Sequence, residues 1–219
     1  MAKEATALSS RKRLTRDERR ARILDAAASV FGERGYEGAI VDEVAGRAGV
    51  TKPVVYDHFS SKRDLYVALL ELYTAELFAS MSKRVLAEET PALRFQGAFD
   101  AFFQFAETHP SAWRILFRDP PPAEPKIVEV AQRLQEQSTA AIATLIASGP
   151  VADHPDDPTG FELVVERQMA AELLKAATVG LASWWYANRD VSREHLVYVL
   201  MNALWIGFDR FTEGERWQK

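Results

Sequence analysis

The stretch "VDEVAGRAGVTKPVVYDHF", residues 41–59, decides the fold. Val41, Val44, Ala45 and Ala48 recur at helical spacing and predict a short helix over about 40–48, followed by Gly49 where the turn needs a positive φ. Thr51 then caps a second short helix that runs to about Phe59, with Val55 and Phe59 one turn apart. Pro53 falls in its first turn, where a missing N–H costs no intrahelical bond. Val44, Ala45, Val50, Val55 and Phe59 can pack the two helices together across the turn, which makes the pair a helix-turn-helix.

The second helix can lie in the DNA major groove, about 12 Å wide. Thr51, Lys52 and Pro53 open it, where helix dipole and side-chain donors act together on phosphate oxygens. Tyr56 offers a hydroxyl to a phosphate and a ring to the groove wall, and Lys62 opens the next helix within reach of the same backbone. Val54, Asp57 and His58 remain as base readers, a valine against a thymine methyl and a carboxylate accepting from cytosine N4. Periodicity alone leaves an equal alternative, a helix pair that only packs, with Tyr56 in the core.

Outward from this motif nearly every segment has helical period. Residues 15–34 open with Thr15 and Glu18 in a capping-box pattern and carry Ile23, Leu24, Ala27, Val30 and Phe31 on one face, with Gly35 as the expected end. Ser60 or Ser61 caps a long helix to about Glu88, and Pro91 and Pro110 begin two more. After the proline-rich break 119–125 a helix is expected to about Ser148, and after a polar loop two more over about 161–188 and 192–211. No segment has strand period. The expected fold is all-α, with about nine helices.

The 219 residues are 47% apolar and 26% charged, ordinary for a globular chain. The absence of cysteine excludes a disulfide scaffold, a thiol nucleophile and a thiolate metal site, and suits a reducing cytoplasm. The longest apolar stretches fall short of the roughly 18 residues a membrane span needs, so no membrane partner is expected. Residues 1–63 carry 13 Lys and Arg against 9 Asp and Glu, and the remainder 14 against 22. A basic end on an acidic body fits one end that meets a polyanion, and argues against a protein that coats DNA without preference. His58, His109, His154 and His195 share no metal-ligand spacing, and no nucleophile motif or Gly-rich phosphate loop occurs. No catalytic residue, metal or cofactor is expected; "DHPDD", residues 153–157, reads as a solvated loop, with a cation site as the lesser alternative.

Residues 22–66 resemble the tetracycline-repressor (TetR) family of bacterial transcriptional regulators. The combination "FGERGY", "VAGRAGV" and "VYDHFSSKRDLY" carries the resemblance, over about a fifth of the chain. It implies three parts: a flexible basic arm over 1–14, a helix-turn-helix DNA-binding domain over 15–61, and a helical effector-binding and dimerisation domain over 62–219. It also implies a small-molecule effector in an internal cavity and repression released by that effector from a palindromic operator. Two departures stand out. Ala39 and Ile40 occupy places where family members often carry a threonine or serine that touches phosphate, and Asp57 repels phosphates unless it reads a base or pairs with Arg47 or Lys52.

Symmetric dimers double the DNA site. Leu173, Ala177, Gly180 and Leu181 on the eighth helix, and Leu200, Ala203, Gly207 and Phe211 on the ninth, form the candidate stripes for a four-helix dimer interface; facing only their own core is the alternative, and the resemblance favours the dimer. Phe99, Phe102, Phe103, Trp113, Phe117 and Trp184 are the candidate ligand residues, and an apolar cavity of this kind suits a lipid-like or aromatic effector. Arg11, Lys12 and Arg13 are either a minor-groove arm or a solvated tail.

Overall fold

The computed structural model describes residues 15–118, 122–147 and 163–206. Among them every regular element is helical. Helix α1, Arg16–Gly38, starts with the expected capping box: the Thr15 hydroxyl accepts from the Glu18 N–H at 3.1 Å, and the Glu18 carboxylate accepts from the Thr15 N–H at 2.7 Å. Gly35, at φ 66°, kinks this helix instead of ending it, and a last turn continues to Gly38.

Helices α2, Val41–Ala48, and α3, Lys52–His58, follow. Between them Gly49 takes a left-handed φ of 68°. Its N–H donates to the Gly46 carbonyl at 3.2 Å while the Val50 N–H donates to the Ala45 carbonyl at 3.0 Å. Those two bonds satisfy carbonyls that the end of α2 leaves without partners, so the glycine fixes the angle at which α3 departs.

Ser61, rather than Ser60, caps α4, Lys62–Ala87, accepting from the Asp64 N–H at 3.0 Å. Then come α5, Pro91–Thr108, and α6, Pro110–Trp113, which runs on as a π-turn over Arg114–Arg118. Helices α7, Pro125–Ala147, α8, Leu163–Trp185, and α9, Arg193–Leu200, complete the set, and α9 passes into a second π-turn over Met201–Trp205. The stretch to Phe211 that was expected to extend this helix lies outside the described residues from 207 on.

The buried side chains form two cores. The first joins Ile23, Val30 and Phe31 of α1 to Val44, Val55 and Phe59, and is completed by Leu65 and Leu69 of α4 and by Ile115, Ile127 and Val130 from much later in the chain. Residues 15–61 therefore do not close their own core. The second core gathers the aromatic residues of α5 and α6 with Leu174, Trp185, Leu196 and Leu200. Tyr73 and Leu116 pack against both cores.

Polar contacts fasten the later helices to the first ones. Arg114 donates from Nη1 to the Gly32 carbonyl of α1 at 2.8 Å, Lys126 of α7 pairs with Asp64 at 2.9 Å, and Arg133 of α7 pairs with Glu71 at 2.7 Å. No described helix is long and apolar enough to cross a membrane.

Candidate nucleic-acid interface and effector cavity

Val55 and Phe59 anchor α3 in the first core, at 1% and 5% exposed, and the remaining positions of α3 turn outward. Thr51, Lys52, Pro53, Tyr56 and Asp57 are exposed, and Val54, His58 and Lys62 are half-buried. The Thr51 hydroxyl makes no capping bond, although the residue occupies the N-cap position of α3. Tyr56, 43% exposed, is a surface residue and not a core tyrosine.

The platform beneath α3 is held by ions. Arg47 of α2 donates to the Glu33 carboxylate at 2.6 Å and to Glu43 at 2.7 Å, with a further bond to the Ser29 hydroxyl, while Arg34 donates to Glu43 at 2.8 Å. The Arg47 guanidinium, helped by Ser29, holds the Glu33 carboxyl down to about 2. Arg34, and after it Arg47, holds Glu43 below the ordinary carboxylate range. These pairs are exposed, so they fix the register of α2 on α1 more than they add stability.

Lys52 already has a partner within the chain. Its Nζ lies 2.9 Å from the Asp42 carboxylate of α2, which raises the lysine pKa. Neither Arg47 nor Lys52 is paired with Asp57, because each has found other acids; the Asp57 charge acts on His58. Lys62 donates to the Glu37 carbonyl at 3.3 Å and sits 4.6 Å above the Tyr36 ring, which places it at the junction of α1 and α4. Tyr36 in turn donates to Glu124, just before α7, and burial followed by that bond raises its pKa.

In the sequence the arginines that open α1 count only toward the basic balance of residues 1–63. Burial, then Arg16, Arg19 and Arg20 together, lower the pKa of His58 on α3, with Asp57 opposing them. Arg20 also lies 5.1 Å over the Phe59 ring. Positive charge thus borders α3 from α1. The basic residues Arg11, Lys12 and Arg13 lie outside the described residues, as does "DHPDD" at 153–157.

A cavity of about 130 Å³ opens in the second core between α4, α5, the first π-turn, α7 and α8. Phe99, Phe102 and Phe117 line it. Phe103 and Trp113 do not; they are buried behind the lining, Phe103 against Trp185 at 6.1 Å and Trp113 against Phe102 at 5.9 Å. Trp184 is 50% exposed on the outer side of α8, whereas Trp185 is buried at 2%. One residue is about 100° of helix, enough to put two adjacent tryptophans on different sides.

Leu173 is 58% exposed and Gly180 exposed, while Ala177 and Leu181 are half-buried. On α9 Leu200 is only 4% exposed and belongs to the second core, which corrects its place on the outer stripe. The outer row there runs through Tyr198, Val199, Ala203 and Ile206 instead. Gly207 and Phe211 lie outside the described residues.

A family model described as "Bacterial regulatory proteins, tetR family" matches residues 23–69. Over 196 residues the chain is 34% identical to the HTH-type transcriptional activator FasR of Mycolicibacterium smegmatis, covering 89% of this chain and 85% of that protein. It is 34% identical over 103 residues to the HTH-type transcriptional repressor KstR2 of Mycobacterium tuberculosis, 47% of this chain and 51% of that one. The structure of the transcriptional regulator FadR from Bacillus subtilis in complex with stearoyl-CoA superposes with a TM-score of 0.68 at 16% identity, over 90% of this chain and 99% of that one.

Proposed function

The chain belongs to the TetR family of bacterial transcriptional regulators, and we propose that it is a ligand-responsive repressor that binds a palindromic operator as a homodimer and leaves it when a small apolar effector fills the cavity. It is a DNA-binding regulator and not an enzyme. The observation that carries the proposal is a single rigid element shared by both sites. Leu65 and Leu69 of α4 are wholly buried in the core under α3, while Thr74, Leu77 and Met81 of the same helix line the cavity. An effector with different affinities for two tilts of α4 changes the separation of the two recognition helices in a dimer.

In this reading residues 1–14 form an arm, 15–61 the DNA-binding domain and 62–219 the effector and dimer domain, with the protein working in the cytoplasm. Thr51, Lys52 and Lys62 contact phosphate, Tyr56 the backbone and groove wall, and Val54, Asp57 and His58 the base edges. Val165, Met169, Leu173 and Trp184 leave apolar area exposed along α8, as do Tyr198 on α9 and Ile206 just after the second π-turn. Covering this area with a second copy builds a four-helix bundle, and Gly180 and Ala203 let backbones approach. The aromatic and aliphatic lining suits a lipid-like or aromatic molecule, in keeping with the stearoyl-CoA held by the Bacillus subtilis neighbour.

The sign of regulation has a second reading, because FasR, similar over most of this chain, is an activator. Occupancy over a promoter blocks polymerase, whereas occupancy upstream of it recruits, and the same interface serves both. The test is to select bound fragments from sheared DNA of the source genome at near-physiological salt and sequence them. A near-palindrome upstream of a few genes is expected, and transcription from those promoters with and without protein gives the sign. Even recovery of all fragments, or recovery of none by protein stripped of any co-purified ligand, would overturn the proposal.

A further inference from the structure

We propose that Lys175 of α8 takes the charged end of the effector, which makes the effector a monoanionic amphiphile: one carboxylate on an alkyl or aryl-alkyl body. This rests on reading the cavity as the effector site. The lining is divided. Phe95, Phe99 and Phe102 are buried and offer only hydrocarbon, whereas Gln135, Ser138, Lys175 and Thr178 from α7 and α8 bring most of the polar atoms to one side, with Thr74 of α4 as the remaining hydroxyl. Gln135 is exposed and Lys175 half-buried, so the polar side is also the side that reaches solvent.

The polar groups are not equivalent. The hydroxyls of Ser138 and Thr178 already donate, at 2.7 Å each, to the carbonyls of Leu134 and Leu174, and so present lone pairs to the cavity. A carboxylate needs donors. Lys175 is the one charged side chain in the lining among the described residues. Its Nζ donates to the Thr139 hydroxyl and to the Glu172 carboxylate, each at 2.8 Å, and an ammonium has a third N–H to give. The Lys175 side chain is 20% exposed and that of Glu172 55%, so the counterion stands on the solvent side of the ammonium. A ligand carboxylate can use the third donor or replace Glu172. A second negative charge would find no cation in the lining and would face Glu172, which limits the end of the ligand held at Lys175 to one charge.

The probes are dodecanoate, 1-dodecanol and dodecanoyl-CoA, titrated by calorimetry into the full-length protein and into Lys175→Met, Lys175→Arg and Glu172→Gln. Thermal unfolding of each variant confirms that it folds. Wild type should prefer dodecanoate to 1-dodecanol. Lys175→Met should lose about tenfold to a hundredfold in dodecanoate affinity, the weight of a hydrogen bond to a charged group, with 1-dodecanol unchanged. Lys175→Arg should keep the preference, and Glu172→Gln should strengthen dodecanoate binding by freeing the ammonium. Equal binding of acid and alcohol, an unchanged Lys175→Met, or binding of dodecanoyl-CoA alone would overturn the assignment of Lys175 while leaving an apolar effector site in place. Binding of none of the three would remove the effector reading and this assignment with it.

Discussion

At Gly32 helix α1 packs tightly against α6, and adding one methyl there should be felt. A Cβ built on Gly32 would lie 2.9 Å from the Ser111 Cβ, 3.0 Å from its Oγ and 3.1 Å from its Cα. Two of those atoms move only with the backbone of α6, so Gly32→Ala must push α6 away from α1 and strain the Arg114 bond to the Gly32 carbonyl. Overpacking of this kind costs about 1–3 kcal/mol, and the better helix propensity of alanine returns about 0.8–1 kcal/mol. Gly46 supplies the control, because it is helical and a Cβ there meets nothing within 4 Å. Gly46→Ala gains the propensity without the clash. The difference between the two variants therefore isolates the overpacking, about 1–3 kcal/mol, or roughly 2–12 °C in unfolding midpoint for a chain of this size. Thermal unfolding at one protein concentration measures it. A Gly32→Ala protein as stable as Gly46→Ala would refute the close packing of α6 on α1.

Three further outcomes are expected. Lys52→Ala should weaken operator binding and make the slope of log K against log salt less negative by about 0.9 for each protomer; an unchanged slope would remove Lys52 from the phosphate contacts. Burial and then Arg16, Arg19 and Arg20 depress the His58 pKa in the free protein, and nearby phosphates would raise it, so the DNA-bound form takes up protons. Operator affinity should rise as pH falls from 8 to 6, and His58→Gln should flatten that dependence. Glu33, held down to about 2 by Arg47 and Ser29, contributes stability that is fully present above its unfolded value near 4.5 and is lost as pH falls through about 2. Glu33→Gln should remove that part of the acid sensitivity, as read by unfolding curves between pH 5 and 2.

The fold was largely legible because local rules and packing agree along most of the chain. Thr15, Gly49, Ser61, Pro91 and Ser192 each mark a helix boundary through a capping or backbone preference that survives in three dimensions. Gly35 obeyed the same local rule, yet its positive φ only kinks α1, because the turn after it still finds hydrogen bonds. Neither π-turn was foreseen, since one extra residue in a helical turn leaves no trace in composition.

The sites were legible only where position alone decides them. The outward face of α3 follows from the buried Val55 and Phe59. The partners of the neighbouring charges follow only in part: Glu43 and Arg47 are an i,i+4 pair within α2, whereas Glu33 of α1 claims Arg47 and Asp42 of α2 claims Lys52 of α3 across helix crossings that no spacing rule specifies. In the second core a run rich in apolar residues gives no unique face. Leu200 turned inward and Trp184 outward, and Lys175 emerged at the cavity only once α7 was seen beside it.

The central claim is that two copies of α3 read one symmetric site and that the cavity controls their spacing. Hydroxyl-radical footprinting on a selected fragment, with and without a ligand that binds the cavity, tests it most directly. Two protected patches are predicted, related by a two-fold axis and centred about one helical turn, roughly 34 Å, or a multiple of it apart, and both should clear together when the ligand is added. Continuous protection without symmetry, or symmetric patches that persist at saturating ligand, would contradict it.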